Sequence, residues 1–303
     1  MRFQAFAAAS VLILAGCSAG APPTEEAGAV EVAAAANAAG EGMTAAATAP
    51  RLEQLWVQEG FEQPEGAAIG PEGNYFISNV AGESSARDGN GYISKLAPDG
   101  AVLMLRWAEG LDAPKGMTVL GDTLYVADLD RVVMFDVHDG TERGAVSVEG
   151  AKFLNDMTVW NGDVLVSDSG TASIHEITPD GAELLGASAD WDRINGLLGD
   201  GDRLLIATMT AGNLIDLRSA DSEDIIASGM INADGIGLVP GGGYLVSSWP
   251  GQIHYVSEEG QVTTLLDTEA EGVLQNDLSV FGDVVIVPNM LPGTVTAWRV
   301  ARD

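Results

Sequence analysis

The chain has 303 residues, of which 44 are acidic and only 14 basic, giving a formal net charge of −30 at neutral pH. Such a surface repels nucleic-acid phosphates and anionic lipid headgroups, so charge-driven binding to either is excluded. Cys17 is the only cysteine, which rules out an intramolecular disulfide.

Residues 1–16 read as a signal peptide. Arg2 supplies a basic start, and Ala5 to Leu14 is an apolar run too short to span a bilayer. The following Leu14-Ala15-Gly16-Cys17 resembles the bacterial lipobox. That resemblance implies that Cys17 is lipidated and becomes the mature N-terminus. Ser18, standing where an Asp would retain the protein elsewhere, implies the outer membrane, facing the periplasm. Residues 17–50 are rich in Ala, with Gly, Thr, Pro and Glu. So little apolar surface cannot offset the entropy of ordering, and the segment is predicted to be a flexible tether. Residues 51–303 are then left for one domain with a large core.

Within that domain one unit recurs. In Asn155–Asp168 (NDMTVWNGDVLVSD) a strand with alternating apolar residues meets the turn Asn161-Gly162-Asp163, and the short run Val164-Leu165-Val166 follows. Copies start at Glu65, Lys115, Asn155, Asn195, Asp234 and Asn276, at intervals close to 40 residues except for a longer first one. A period of that length with several short strands marks a β-propeller blade. The position after the aligned Ile77, Val126, Val166, Ile206, Val246 and Ile286 is small in five copies, with Val287 the exception. Third and fourth strands follow at Tyr92–Leu96 and Val102–Trp107 in the first copy. The predicted fold is all-β, a six-bladed propeller with four-stranded blades. The last copy is one strand short. Because LWVQEGFEQPEG (55–66) mirrors LRWAEGLDAPKG (105–116), Leu52–Gln58 is expected to close the ring against Thr294–Val300. The extra length of the first copy lies in 81–91, either a surface loop or a segment overhanging the central opening.

The six residues that open the inner strands are Glu65, Lys115, Asn155, Asn195, Asp234 and Asn276. Taken singly, Asn or Asp before Gly is a turn or strand-cap residue. In six-fold register these side chains form a polar ring at one end of the channel, and clustered like charges there call for a cation. Met209, Trp249, Met290 and Leu291, at the ends of the second strands, either wall a substrate site or pack between loops. Asp128 and Asp168 read as turn residues. His138, His175 and His254 fall away from the ring, which argues against a histidine base.

The layout resembles the family of senescence marker protein 30, gluconolactonase and diisopropyl-fluorophosphatase-like propellers. That resemblance implies a divalent cation, usually calcium, held by Glu65 (QPEGAAI), Asn155 (LNDMTV), Asn195 (INGLL) and Asp234 (ADGIGL), with Asp234 also the base or nucleophile. Two positions depart from the family pattern. Lys115 stands in the ring, where it would either pair with Glu65 in the cation's place or hold a substrate carboxylate or oxyanion. Phe153 stands where sugar-lactone hydrolases carry Arg, which removes the expectation of an aldonic lactone. Two functions remain open. One is a calcium-dependent hydrolase of small lactones or esters, with Asp234 and Lys115 catalytic and Asn276, Met209, Trp249 and Met290 contacting substrate. The other is a non-catalytic binding or assembly propeller of the envelope. In either case the chain is expected to be a monomer that touches the membrane only through its lipid. Cys17→Ala is expected to move the protein from the membrane to the soluble fraction; unchanged detergent partitioning of the variant would refute the anchor.

Overall fold

The computed structural model describes residues 49–302 except 220 and 221, so the expected signal peptide, Cys17 and nearly all of the expected tether lie outside the described residues. Among the described residues, twenty-five strands and one short 3-10 turn (Ala189–Trp191) make up the elements. They form six antiparallel sheets in a ring, the propeller expected from the repeat. The inner strands of blades one to five are Pro64–Ile69, Pro114–Leu120, Leu154–Trp160, Ile194–Asp200 and Ala233–Leu238. The sixth is broken into Leu274–Gln275 and Ser279–Phe281, and Asn276 lies in the break. Among the described residues no helix is long and apolar enough to cross a membrane.

Local sequence explains the hairpins. Asn161 and Gly162 take φ values of 54° and 92°, so Trp160 pairs directly with Asp163 across a two-residue turn. Asn and Gly are the residues that tolerate two successive positive φ angles. Each intact inner strand also carries one extra residue near its start. In blade three, Leu154 pairs with Asp168 and Met157 with Val166, so three steps on one strand match two on the other. Blades one, two, four and five repeat this bulge.

The core is distributed over the joints between blades. Phe76, Trp107, Leu124 and Phe135 fill the seam between blades one and two. Trp160, Ile174, Trp191 and Leu204 fill that between three and four. The closing seam joins Tyr75 and Ile77 of blade one to Ile286, Val295 and Ala297 of blade six. There Tyr75 stacks on Phe281 with ring centroids 5.7 Å apart. Each buried aliphatic side chain in such a seam is worth ~2–5 kcal/mol against truncation to Ala.

Ring closure follows the predicted route. Arg51–Glu59 lies antiparallel on Thr294–Ala301, with Leu52 opposite Val300 and Gln58 opposite Val295. The 81–91 insert is held to its surroundings. Arg87 pairs with Asp130 at 2.7 Å, Gly89 N–H donates to Asp112, and Gly82 N–H donates to the Gln63 side chain. Deleting 18–50 is expected to leave the melting temperature nearly unchanged. Deleting 18–59 strips blade six of its outer strand, exposes a sheet edge and should cause aggregation. Equal melting temperatures for the two truncations would show that the N-terminal strand does not carry the closure.

Candidate functional site

The bulges place the polar ring. In a regular strand successive side chains face opposite sides. The extra residue breaks that alternation, re-aims the side chains next to it and leaves the second and third positions of each intact inner strand without a ladder partner. The bulge N–H is held by the small residue seen in the repeat: Ser78, Ser167 and Ser247 accept from Gly66, Asp156 and Gly235 at 2.8–2.9 Å. Ser167 then donates to the Asn195 carbonyl at 2.8 Å, tying blade three to blade four.

All six predicted ring residues sit at these bulge positions or their equivalent in blade six. Lys115, Asn155, Asn195, Asp234 and Asn276 are buried, and Glu65 is partly buried. The Asn155 amide donates to Ser169 and the Asn276 amide to the Pro64 carbonyl. Asn195 Oδ1 is buried with no hydrogen-bond donor among the described residues. An orphaned carbonyl oxygen of this kind costs stability unless something electropositive meets it. Together with Glu65, Asn155 and Asp234 it makes an oxygen-only donor set suited to a hard divalent cation. Among the described residues no three His, Cys, Asp or Glu side chains gather closely enough to hold a metal, so a cation here would depend on the amide oxygens.

Lys115 is 3% exposed and, among the described residues, forms no ion pair within 4 Å and no hydrogen bond. Its ammonium lies 4.8 Å from the centroid of the Phe153 ring. The two departures from the family pattern are therefore in contact, and the aromatic face braces the cation. Pairing with Glu65, one of the two sequence expectations for this lysine, is not what the structure shows.

Sequence reasoning missed a second layer. Asp156 and Asp277, one residue beyond Asn155 and Asn276, also reach the channel. Asp156 accepts from Met157 N–H and from Leu197 N–H of the next blade, both at 2.7 Å. Asp277 Oδ1 accepts from Leu278 N–H at 2.7 Å. The channel thus holds four carboxyl groups and one ammonium. Burial is the main reason that Glu65 and Asp156 are each pushed up to about 7, with Lys115 pulling Glu65 back down. Burial, then repulsion from Glu65 and Asp156, holds Asp234 well above the usual carboxylate range. Asp277 is raised by burial and by Asp156, Asp234 and Glu65.

The remaining predicted residues are more scattered. Met209 is buried with its sulfur 3.3 Å from the Arg193 guanidinium, while Trp249 and Met290 are half-buried. They share the ring's end of the propeller through the strand ends that carry them, but no hydrogen bond or ring contact joins them to the ring residues. Asp128 accepts from Asp112 N–H, Ala113 N–H and Arg131. Asp168 accepts from the N–H groups of Lys152, Phe153 and Gly170. Both hold the loop that enters their blade, as their turn reading implied. His175 and His254 bond Ser173 and Thr264, away from the ring, and burial lowers the pKa of each.

With this geometry in place, comparison with known proteins locates the fold. A gluconolactonase from Xanthomonas campestris superposes with a TM-score of 0.64 at 17% identity, over 84% of this chain and 95% of its own. Virginiamycin B lyase from Staphylococcus aureus gives 0.58 at 12% identity, over 81% and 99%. Nidogen, solved in complex with laminin, gives 0.58 at 12% identity, over 75% and 90%. No family profile and no curated protein matches the sequence. The class defined is a six-bladed propeller with a polar central ring, and at these identities the likeness to gluconolactonase is one of fold.

The buried acids set a pH dependence. Glu65 is raised from 4.5 to about 7. Its contribution to stability is therefore complete below about pH 4.5 and lost as pH rises through about 7. Asp156, Asp234 and Asp277 act in the same direction. The melting temperature of the metal-free domain should fall across that interval, and Glu65→Gln should flatten the fall. A profile that rises with pH would contradict the buried-acid cluster.

Proposed function

We propose that this protein is an envelope-anchored hydrolase of small lactones or esters that works with a divalent cation, calcium before others. The observation that carries the reading is the convergence of Glu65, Asn155, Asn195 and Asp234 with Asn195 Oδ1 left unpartnered. The resemblance in blade order and the fold of the Xanthomonas gluconolactonase support it. Bound there, the cation would supply a Lewis acid for the substrate carbonyl. The chain's own residues do the rest. Asp234, whose burial makes its carboxylate a stronger base than a solvated one, takes the proton of the attacking water. Lys115, buried and unpaired, steadies the oxyanion or a substrate carboxylate from the side braced by Phe153. Trp249 and Met290 would offer apolar surface to the remainder of the substrate.

A binding propeller without turnover is the second reading. The absence of a three-acid metal cluster among the described residues favours it, as does the fold of nidogen, solved with laminin.

Calcium is expected to raise the melting temperature by mass action, since the open chain has no site. Asp234→Asn should remove hydrolysis of lactones and aryl esters, typically by about 100-fold or more for a lost general base, with the fold intact by circular dichroism. Lys115→Met should keep calcium binding and lower turnover. No calcium-dependent shift and no hydrolysis by the parent would leave the binding-module reading.

A further inference from the structure

Beyond the ring, toward the ends of the inner strands, the channel widens into a cavity of about 200 Å³. None of the six ring residues lines it. Every blade gives its wall at least one apolar residue, Ala67, Met117, Met157, Leu197, Ile236 and Leu278 among them, and Thr118, Thr158 and Ser279 add hydroxyls. Asp156 and Asp277 form its only charged lining. Both oxygens of Asp156 are taken by backbone N–H groups, whereas Asp277, 7% exposed, uses only Oδ1, leaving Oδ2 without a partner among the described residues.

We propose that this cavity is a second ligand site, on the opposite side of the ring from the candidate active site, for a small primary alkylammonium. Its apolar tail lies against the six-blade wall and its charged end meets Asp277.

The wall and the acid together exclude the alternatives. A neutral apolar molecule would displace the water that solvates the Asp277 oxygen and leave it unpaired, which is costly. An anion would be repelled by the carboxylates. A hard metal ion seeks six to eight oxygens, and here acids from two blades and three hydroxyls face a larger number of apolar side chains. An alkylammonium satisfies both surfaces at once: its charge favours the ionised form of Asp277, whose oxygen accepts from its N–H donors, and its methylenes meet Met, Leu and Ile. Size agrees, because a cavity of ~150 Å³ holds benzene, so an amine of about four to six carbons fits. The chain's charge of −30 also raises the local concentration of any cation. The site stands independently of the hydrolase reading, because it uses neither the ring ligands nor Lys115.

Titration calorimetry on the full chain with n-pentylammonium, n-pentanol, ammonium and calcium would test it. Saturable binding of pentylammonium is expected, with pentanol and ammonium each at least about tenfold weaker. Asp277→Asn keeps the acceptor for Leu278 N–H and should cost about tenfold or more in pentylammonium affinity while preserving the melting temperature. Ala67→Leu fills the cavity and should abolish binding, which decides the matter if Asp277→Asn does not fold. Equal affinity for pentanol, amine binding that survives in either folded variant, or no amine binding by the parent would overturn the proposal. Calcium binding and hydrolysis, measured separately, report on the ring and not on this site.

Discussion

Everything at the channel depends on the pairing of Arg51–Glu59 with Thr294–Ala301. A blade buries its two faces against neighbours, so six blades in a row would leave two faces and two edges bare. Joining the first strand to the last removes both defects. The junction then presses Tyr75 and Ile77 against Ile286 and Ala297. Glu65 and Asn276 are far apart in the chain, yet they become neighbours because this joint is closed; the Asn276 amide reaches the Pro64 carbonyl across it. Central chemistry in this molecule is thus a product of a peripheral strand.

Much of this was legible in sequence because a blade is a self-contained unit whose turn, strand and seam positions recur in step. The polar residue at the head of each copy could be aligned, so the ring appeared before any coordinates did. The second layer did not appear, for a physical reason. Alternation assigns Asp156 to the sheet face opposite Asn155, and only the bulge returns it to the channel. Bulges leave little trace in hydrophobic pattern, since one extra residue among six is lost in the scatter of a short strand. Ser78, Ser167 and Ser247 were visible as a small-residue position, but their task of holding the bulge N–H required the register. The partnership of Lys115 with Phe153 was hidden because it links adjacent blades.

The channel also separates two kinds of chemistry along one axis. At one end, amides and carboxyls of the ring offer oxygen donors with an orphaned Asn195 oxygen among them. At the other, Met, Leu and Ile line a cavity with carboxyls at its lining. The four acids lie between these environments and raise one another's proton affinity. Binding at either end therefore changes the electrostatic cost of the other. A cation in the ring would relieve the repulsion that Asp277 feels, and a charge at Asp277 would be felt in turn by Asp234.

The glycines of the bulge layer set the terms on which those acids exist. A Cβ on Gly235 would stand 1.9 Å from an Asp277 oxygen, and one on Gly116 would stand 2.5 Å from an Asp156 oxygen. Gly196 is blocked by the Asp234 carbonyl at 2.1 Å. Asp156 and Asp277 are thus each tied to an uncharged neighbour in the preceding blade that must remain without a side chain. Divergence within such a ring has an order to it. Asp277 can be lost in a single step, but Gly235 cannot change while Asp277 stays. The Leu278 backbone, whose N and O would stand 2.4 and 2.7 Å from that Cβ, holds Gly235 fixed even after the acid is gone, so a lineage that lost Asp277 keeps its route back to a carboxylate there.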